Sequence, residues 1–191
     1  MNRFVVGIVP IVVVLVLGSF LWQDPTIQNL GYPCALTADN AEGPYYIAGS
    51  PSKETFGATL EGQRLVVSGQ ILDYSCNPMP YAIVDVWQTD SDGEYYFDDA
   101  FTLRGKVTAD ENGLYNFETV FPGKYSDSGM VRPAHIHLKI LSAEDESELL
   151  TTQLYFQGDE DHDWLVKPSL ILELEETDGK KYAEFDFIVR P

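Results

Sequence analysis

Two histidines separated by one residue are the most informative chemical feature of this sequence. They are His135 and His137, within the stretch Arg132-Pro133-Ala134-His135-Ile136-His137. In an extended strand, side chains two positions apart point to the same side, so both imidazoles would face one point while Ile136 faces a core. Neutral imidazole is the commonest metal ligand in proteins, so this pair indicates half of a metal site. The alternative is a pair of histidines at the surface or at the edge of the core.

The elements that must position these histidines are predicted to be strands. Runs rich in β-branched and aromatic residues alternate with turn residues, and no amphipathic helix is evident beyond a turn or two at 143–149. The predicted strands are 65–72, 82–87, 104–108, 114–120, the histidine strand to 140, 151–156 and 184–189. Strands 104–108 and 114–120 are predicted to form a hairpin across Asp110–Gly113. The fold class is therefore all-β, a single antiparallel β-sandwich domain.

The N-terminal stretch is predicted not to belong to that domain. Phe4 to Trp22 carries no charge and is almost wholly apolar, and as a helix it would span about 28 Å, close to the thickness of a bilayer's hydrocarbon core. We interpret residues 1–23 as a transmembrane anchor, with a cleaved signal peptide as the alternative, and residues 24–33 as a tether. Either interpretation places the folded part, residues 34–191, outside the cytoplasm.

The chain is strongly acidic. Its thirty acidic and twelve basic residues give a net charge of −18, which repels phosphate backbones and argues against a nucleic-acid partner. The densest acidic run, Gly158–Asp163, is predicted to be a solvated loop, with His162 as a less favoured additional metal ligand. Asp90-x-Asp92-Gly93 is interpreted as a plain turn, because it lacks the remaining ligands of a calcium loop.

The two cysteines, Cys34 and Cys76, both follow the hydrophobic segment. In an oxidising compartment two such cysteines are expected to pair. We therefore predict a disulfide between them, and the alternative is two buried free thiols.

Eight short motifs carry a resemblance to a known family. They are Gly43-Pro44-Tyr45-Tyr46, Val84-Asp85-Val86-Trp87-Gln88, Asp92-Gly93-Glu94-Tyr95, Arg104-Gly105, Asp110-x-Asn112-Gly113, Pro122-Gly123-Lys124-Tyr125, Arg132-Pro133-Ala134-His135-Ile136-His137 and Gln153-Leu154-Tyr155-Phe156. In this order they resemble the intradiol ring-cleavage dioxygenases, the relatives of the enzymes that open catechol, protocatechuate and hydroxyquinol. The export segment and the cysteine pair resemble the smaller secreted branch of that family.

The resemblance implies a mononuclear, non-haem ferric iron held by Tyr95, Tyr125, His135 and His137. The residue types agree, because phenolate is a hard anionic donor whose parent phenol titrates near pH 10, and Fe(III) suits two phenolates better than Zn(II) does. In the family, the tyrosine that matches Tyr125 leaves the metal and acts as a base, while the one that matches Tyr95 stays bound. The implied substrates are a catechol-type diol and O₂, and the implied product is a cis,cis-muconate-type diacid.

The resemblance also implies roles around the metal. Arg132 matches an arginine that stabilises negative charge on the substrate, with a surface ion pair as the alternative. Gln153 matches a catalytic position behind the ligands, with an ordinary hydrogen-bonded strand residue as the alternative. Tyr45 and Tyr46 match the substrate-binding mouth of the pocket. The resemblance leaves the substrate's substituents open, and we expect Lys124 near the iron to favour an acidic catechol.

Two other functions are compatible with parts of the sequence. Residues 62–125 alone also resemble non-catalytic, transthyretin-like exported binding modules, which have no reason to keep both histidines together with Arg132 and Tyr95. An exported zinc or copper carrier is a weaker alternative, since soft ligands are absent near the histidines.

Overall fold

Short strands form nearly all the regular structure in residues 33–127 and 129–191, which are the residues that the computed structural model describes. In chain order the strands are β1 (Arg64–Asp73), β2 (Ile83–Gln88), β3 (Arg104–Thr108), β4 (Leu114–Val120), β5 (Tyr125–Asp127), β6 (Met130–Arg132), β7 (His135–Leu141), β8 (Glu148–Phe156), β9 (Ile171–Leu172), β10 (Glu175–Thr177), β11 (Lys180–Glu184) and β12 (Phe187–Val189). One 3₁₀ turn, Pro168–Leu170, precedes β9. The all-β prediction is confirmed.

Two five-stranded sheets make up the sandwich. One has the order β3-β2-β7-β8-β9, and the other has the order β10-β11-β1-β12 with β4 also paired to β1. Strand β1 runs parallel to both β11 and β12, and β8 runs parallel to β9. The prediction of a purely antiparallel sandwich is therefore wrong in detail, because the C-terminal strands return alongside earlier strands in the same direction.

The predicted hairpin between β3 and β4 does not form. Strand β3 pairs with β2 in one sheet, and β4 pairs with β1 in the other. The turn itself is present, since the Asp110 carboxylate accepts hydrogen bonds from the backbone N–H groups of Asn112 and Leu114. A turn of this chemistry also suits a chain that crosses between two packed sheets, so the sequence alone does not separate the two cases.

Strand β7 is buried along its whole length. Ile136, Leu138 and Ile140 point into the core between the sheets. The opposite face of the strand is covered by the segment at 37–46, whose backbone bonds to β8 through the Asn40 N–H and the Thr151 carbonyl at 2.8 Å. This cover encloses His135 and His137 instead of leaving them at a wet sheet face.

A disulfide joins Cys34 to Cys76, with an S–S distance of 2.05 Å, and confirms the predicted pairing. It links the start of the described chain to the turn after β1, and in the chain-entropy model a loop of this length stabilises the fold by about 4 kcal/mol. The predicted anchor at 1–23 and nearly all of the tether lie outside the described residues. In the part that is described, no helix has the length and apolarity needed to cross a bilayer.

Candidate active site

Strand β7 brings the two histidines together as the alternation predicts. Their Nε2 atoms lie 3.1 Å apart, and both residues are almost fully buried. The His135 Nδ1 atom lies 2.6 Å from the Pro133 carbonyl oxygen. Nδ1 therefore carries the ring proton and donates a hydrogen bond to that oxygen. The Nε2 lone pair of His135 is therefore free for a metal.

Burial keeps both rings neutral. It lowers the pKa of His135 to about 4 and the pKa of His137 well below its ordinary value. Two bare nitrogens that face each other at 3.1 Å repel, unless a cation or a proton lies between them. Two nitrogen ligands that each lie about 2.1 Å from a metal ion, with a right angle between the two bonds, are about 3 Å apart. The distance between the His135 and His137 nitrogens therefore fits a shared metal.

Two tyrosines complete the group. The ring centroids of Tyr95 and Tyr125 lie 5.5 Å apart, that of Tyr125 lies 5.6 Å from His135, and that of Tyr95 lies 6.4 Å from His137. The Tyr95 hydroxyl is buried and makes no hydrogen bond of normal geometry with a described residue, although the Tyr125 hydroxyl lies near it. A buried hydroxyl of this kind normally finds a partner, and coordination to a metal would supply one.

Burial raises the pKa values of both phenols, and the nearby Tyr125 raises that of Tyr95 further. Only a strongly Lewis-acidic ion makes phenolates of such groups favourable at neutral pH. Within residues 33–127 and 129–191, no group of three or more His, Cys, Asp or Glu side chains could hold a metal. The tyrosines lying near the histidines offer phenolic oxygens as further donors, and this donor set fits a hard trivalent cation.

A tight loop contact places the two tyrosines side by side. Gly93 has a φ of +88°, and a Cβ there would lie 2.1 Å from the Lys124 carbonyl oxygen, so only glycine permits the contact. The Gly123 N–H donates to the Asp90 carbonyl at 2.6 Å, and the Asp90 carboxylate accepts from the N–H groups of Asp92 and Glu94. Asp90 thus shapes a plain turn, as predicted, which holds Tyr95 against the segment that carries Tyr125.

Of the two tyrosines predicted at the pocket mouth, only Tyr45 lines the cavity. It stacks on Tyr95 with 4.2 Å between ring centroids, beside a cavity of about 470 Å³ that Tyr95 and Tyr125 also line. Tyr46 does not line that cavity. Its hydroxyl donates to buried Asp85 at 2.9 Å, and its ring lies under the Lys139 ammonium, so the prediction for Tyr46 is corrected.

Arg132 and Gln153 lie together next to the histidines. The Arg132 Nη2 donates to the Gln153 Oε1 at 2.9 Å, and the same oxygen accepts from the Tyr155 hydroxyl at 2.7 Å. The Gln153 Nε2 donates to the Ala41 carbonyl, which ties the covering segment to β8. The Arg132 guanidinium lies 6.0 Å from the Tyr125 ring centroid, where its charge lowers the pKa of that phenol against the effect of burial.

The acidic run at 158–163 is not simply a solvated loop. Asp163 forms an ion pair with Arg132 in which both side chains are nearly buried. Asp159 accepts from the Ala134 N–H at 3.1 Å and pairs with Lys124. His162 is exposed in the same run. The spacing of acidic residues along a loop gives no sign of which ones turn inward, so these contacts were not predicted.

Arg104 also belongs to the site, although the sequence indicated no role for it beyond its place in a motif. It is 3% exposed, and its Nη1 donates to the Tyr45 carbonyl at 2.6 Å. Its guanidinium lies 6.0 Å from the Tyr95 ring centroid, and its positive charge acts to lower the pKa of that phenol. The Arg104-Gly105 motif was its only signal in the sequence.

Comparisons with known proteins agree with this geometry. The family model described as "Dioxygenase" matches residues 41–191. A chlorocatechol 1,2-dioxygenase from Rhodococcus opacus is 31% identical in an alignment 209 positions long, which covers 89% of this chain and 80% of the relative. The chain belongs to the intradiol ring-cleavage dioxygenase family.

Other members of the family extend the comparison. A catechol 1,2-dioxygenase from Acinetobacter baylyi is 31% identical, and the match covers 75% of this chain and 57% of that enzyme. The solved dioxygenase domain of a carbohydrate-binding fusion protein from Streptomyces sp. SirexAA-E is 32% identical. It superposes with a TM-score of 0.73 over 81% of this chain and 98% of that domain. The chain is accordingly an intradiol ring-cleavage dioxygenase.

Proposed function

We propose that this protein is a non-haem Fe(III) dioxygenase that cleaves a catechol-type diol between its two hydroxylated carbons. Both atoms of O₂ enter the product, a cis,cis-muconate-type diacid. The observation that carries the proposal is the convergence of two neutral imidazole nitrogens, 3.1 Å apart, with the buried and unpartnered Tyr95 hydroxyl. The names of the relatives, which act on catechol and chlorocatechol, support the substrate class.

Tyr95, Tyr125, His135 and His137 would hold the iron. Bound Fe(III) would make the chelated catecholate reactive towards O₂, which is the chemistry that these residues cannot supply themselves. Both tyrosines line the cavity, but only the Tyr95 hydroxyl is among the fully buried, unpartnered polar atoms. Tyr125 would therefore be the phenolate that gives way to an entering diol and accepts one of its hydroxyl protons, while Tyr95 would stay in place.

Arg132 supplies positive charge beside the reacting ring. A guanidinium stays charged at any working pH, and a nearly buried one acts strongly because little water screens it. The Gln153 amide oxygen and the Asp163 carboxylate hold Arg132 from two sides. Arg132 therefore stabilises the negative charge that appears as the diol loses its protons.

The hydrophobic N-terminal segment and the disulfide support a location outside the cytoplasm. We propose that residues 1–23 anchor the protein in a membrane or are removed on secretion. Mass spectrometry of the protein isolated from its own membranes and medium separates these cases, because an anchored protein retains Met1–Gln23 and a secreted one lacks it.

The test of the activity is oxygen uptake by the iron-loaded full chain with catechol. One O₂ per catechol should be consumed, and with ¹⁸O₂ the product should gain two labelled oxygen atoms. A product with one labelled atom, or oxygen uptake with no gain of oxygen by the product, would show a different reaction.

A further inference from the structure

Two cations beside the open cavity, Lys124 and Arg132, form ion pairs with carboxylates of the acidic loop at 159–163. The Lys124 ammonium lies 2.6 Å from an Asp159 carboxylate oxygen and 2.7 Å from an Asp161 oxygen. Lys124 lines the cavity, so its charge would otherwise be the natural partner of an acidic substrate. On the other side, Asp163 pairs with Arg132. Three carboxylates thus face two cations, and the group carries a net negative charge.

The cavity wall adds further negative charge. Asp92 and Glu94 both line it, both are exposed, and neither forms an ion pair with a described lysine or arginine. Arg104 is the remaining cation nearby, but it is 3% exposed and lies against Tyr95. Its charge therefore acts on the Tyr95 phenol, and a substrate in the cavity does not contact it. The whole chain carries −18, which repels anions at longer range as well.

Apolar side chains complete the rim. Phe97 and Val131 line the cavity and are 65% and 50% exposed. A substituent on the catechol ring that extends from the metal donors towards solvent would pass over this apolar surface and beside Asp92 and Glu94. An alkyl chain with an uncharged or cationic end suits both features, and a carboxylate suits neither.

We propose that the cavity selects catechols whose ring substituent is uncharged or positively charged, and that it discriminates against carboxylated catechols. The inference rests on the proposed function and names its substrate class. It reverses the expectation that Lys124 favours an acidic catechol, because the structure pairs that lysine with two carboxylates.

The test compares three catechols with chains of similar size: 4-(2-aminoethyl)catechol, 4-propylcatechol and 3-(3,4-dihydroxyphenyl)propionate. At low ionic strength kcat/KM should fall in that order, with the cation about tenfold or more above the anion, the low end of electrostatic effects on association. The difference should shrink in about 0.5 M salt, where the Debye length falls to a few ångströms. An anion turned over as well as the neutral compound overturns the proposal.

Two single substitutions in the acidic loop test whether the pairing of Lys124 causes the discrimination against the anionic catechol. Asp161→Asn removes one of the two carboxylates on Lys124, and should raise kcat/KM for the anion relative to the neutral catechol about threefold. Glu160→Gln makes the same change of charge in the same loop, at an exposed residue with no ion pair to a described cation, and should leave that ratio unchanged. Equal effects of the two variants would contradict a role for the Lys124 pairing.

Binding separates this inference from the proposed function. Calorimetric titration of the iron-loaded full chain in the absence of O₂ gives a Kd for each of the three catechols, because no turnover occurs without that co-substrate. The same order of Kd values supports the selectivity even if no oxygen is consumed in the uptake assay, an outcome that counts only against the activity. Equal Kd values for the cation and the anion overturn the selectivity even if 4-propylcatechol is cleaved rapidly.

Discussion

The Trp87 indole lies parallel to the His137 imidazole, with 4.9 Å between the ring centroids and 10° between the planes. Trp87 sits directly opposite His137 in the pairing of β2 with β7. The register of two neighbouring strands therefore fixes the orientation of His137, one of the proposed metal ligands. Trp87 is 1% exposed and packs directly behind His137.

Replacing Trp87 tests this orientation. Trp87→Phe and Trp87→Leu each remove a large part of a buried side chain, and each should lower the free energy of unfolding by roughly 2 kcal/mol or more. Only phenylalanine keeps a ring that can stack on His137. Iron affinity, measured by competition with a chelator, should therefore fall more for Trp87→Leu than for Trp87→Phe. Equal losses would mean that the stack does not orient His137.

Asp163 is predicted to position Arg132. Asp163→Asn leaves a nearly buried guanidinium without its carboxylate, which should lower the free energy of unfolding by about 3 kcal/mol. Activity should fall about tenfold or more, mainly in kcat, because Arg132 acts on charge that develops during the reaction. Glu160→Gln is the control and should change neither value. A change in KM alone would assign Asp163 to substrate binding instead.

Gly43 is predicted to be required by its contact with His137. It has a φ of +73°, and a Cβ there would lie 3.2 Å from the His137 Cε1 atom. Gly49 is a matched control, because it has a φ of +88° and a Cβ there would meet no described atom within 4 Å. Gly49→Ala should cost about 1–2 kcal/mol of stability from backbone strain alone.

Gly43→Ala should carry the same backbone cost and should also displace His137. Iron affinity should therefore fall for Gly43→Ala and stay unchanged for Gly49→Ala. If both variants bind iron as tightly as the native chain, the covering segment at 37–46 does not constrain the histidine.

The disulfide is predicted to stabilise the fold without shaping the site. Replacing Cys34 and Cys76 together by serine should lower the free energy of unfolding by about 4 kcal/mol in the chain-entropy model, as measured by urea denaturation. The visible spectrum of the iron-loaded protein should not change, since neither cysteine lines the cavity beside the tyrosines. A shifted spectrum would show that the link reaches the site.

Local patterns in the sequence were enough for β1 to β4, β7, β8 and the histidine pair. They missed β5, β6, β9, β10 and β11, and the predicted strand 184–189 overlaps both the last residue of β11 and β12. The alternation along β7 predicts that His135 and His137 share a face, and the motifs predict that Tyr95 and Tyr125 join them, as the structure shows. The sheet partners were not accessible in this way. The hairpin of β3 with β4 was predicted wrongly because pairing depends on distant segments, here β1 and β2.

The supporting contacts of the site could not be predicted for the same reason. Asp163 reaches Arg132 across 31 positions in the chain, and Gln153 reaches Ala41 across 112. Acidic loop residues look alike in sequence whether they face solvent or a buried guanidinium. Only the fold shows which carboxylate turns inward.

The visible absorption spectrum of the full chain loaded with iron tests the central claim most directly. Two tyrosine phenolates on Fe(III) should give a broad charge-transfer band, and Tyr95→Phe and Tyr125→Phe should each weaken or shift it, while Tyr46→Phe should leave it unchanged. A protein that binds one iron with no visible band, or a band unaffected by both Tyr95→Phe and Tyr125→Phe, would contradict the ligand set.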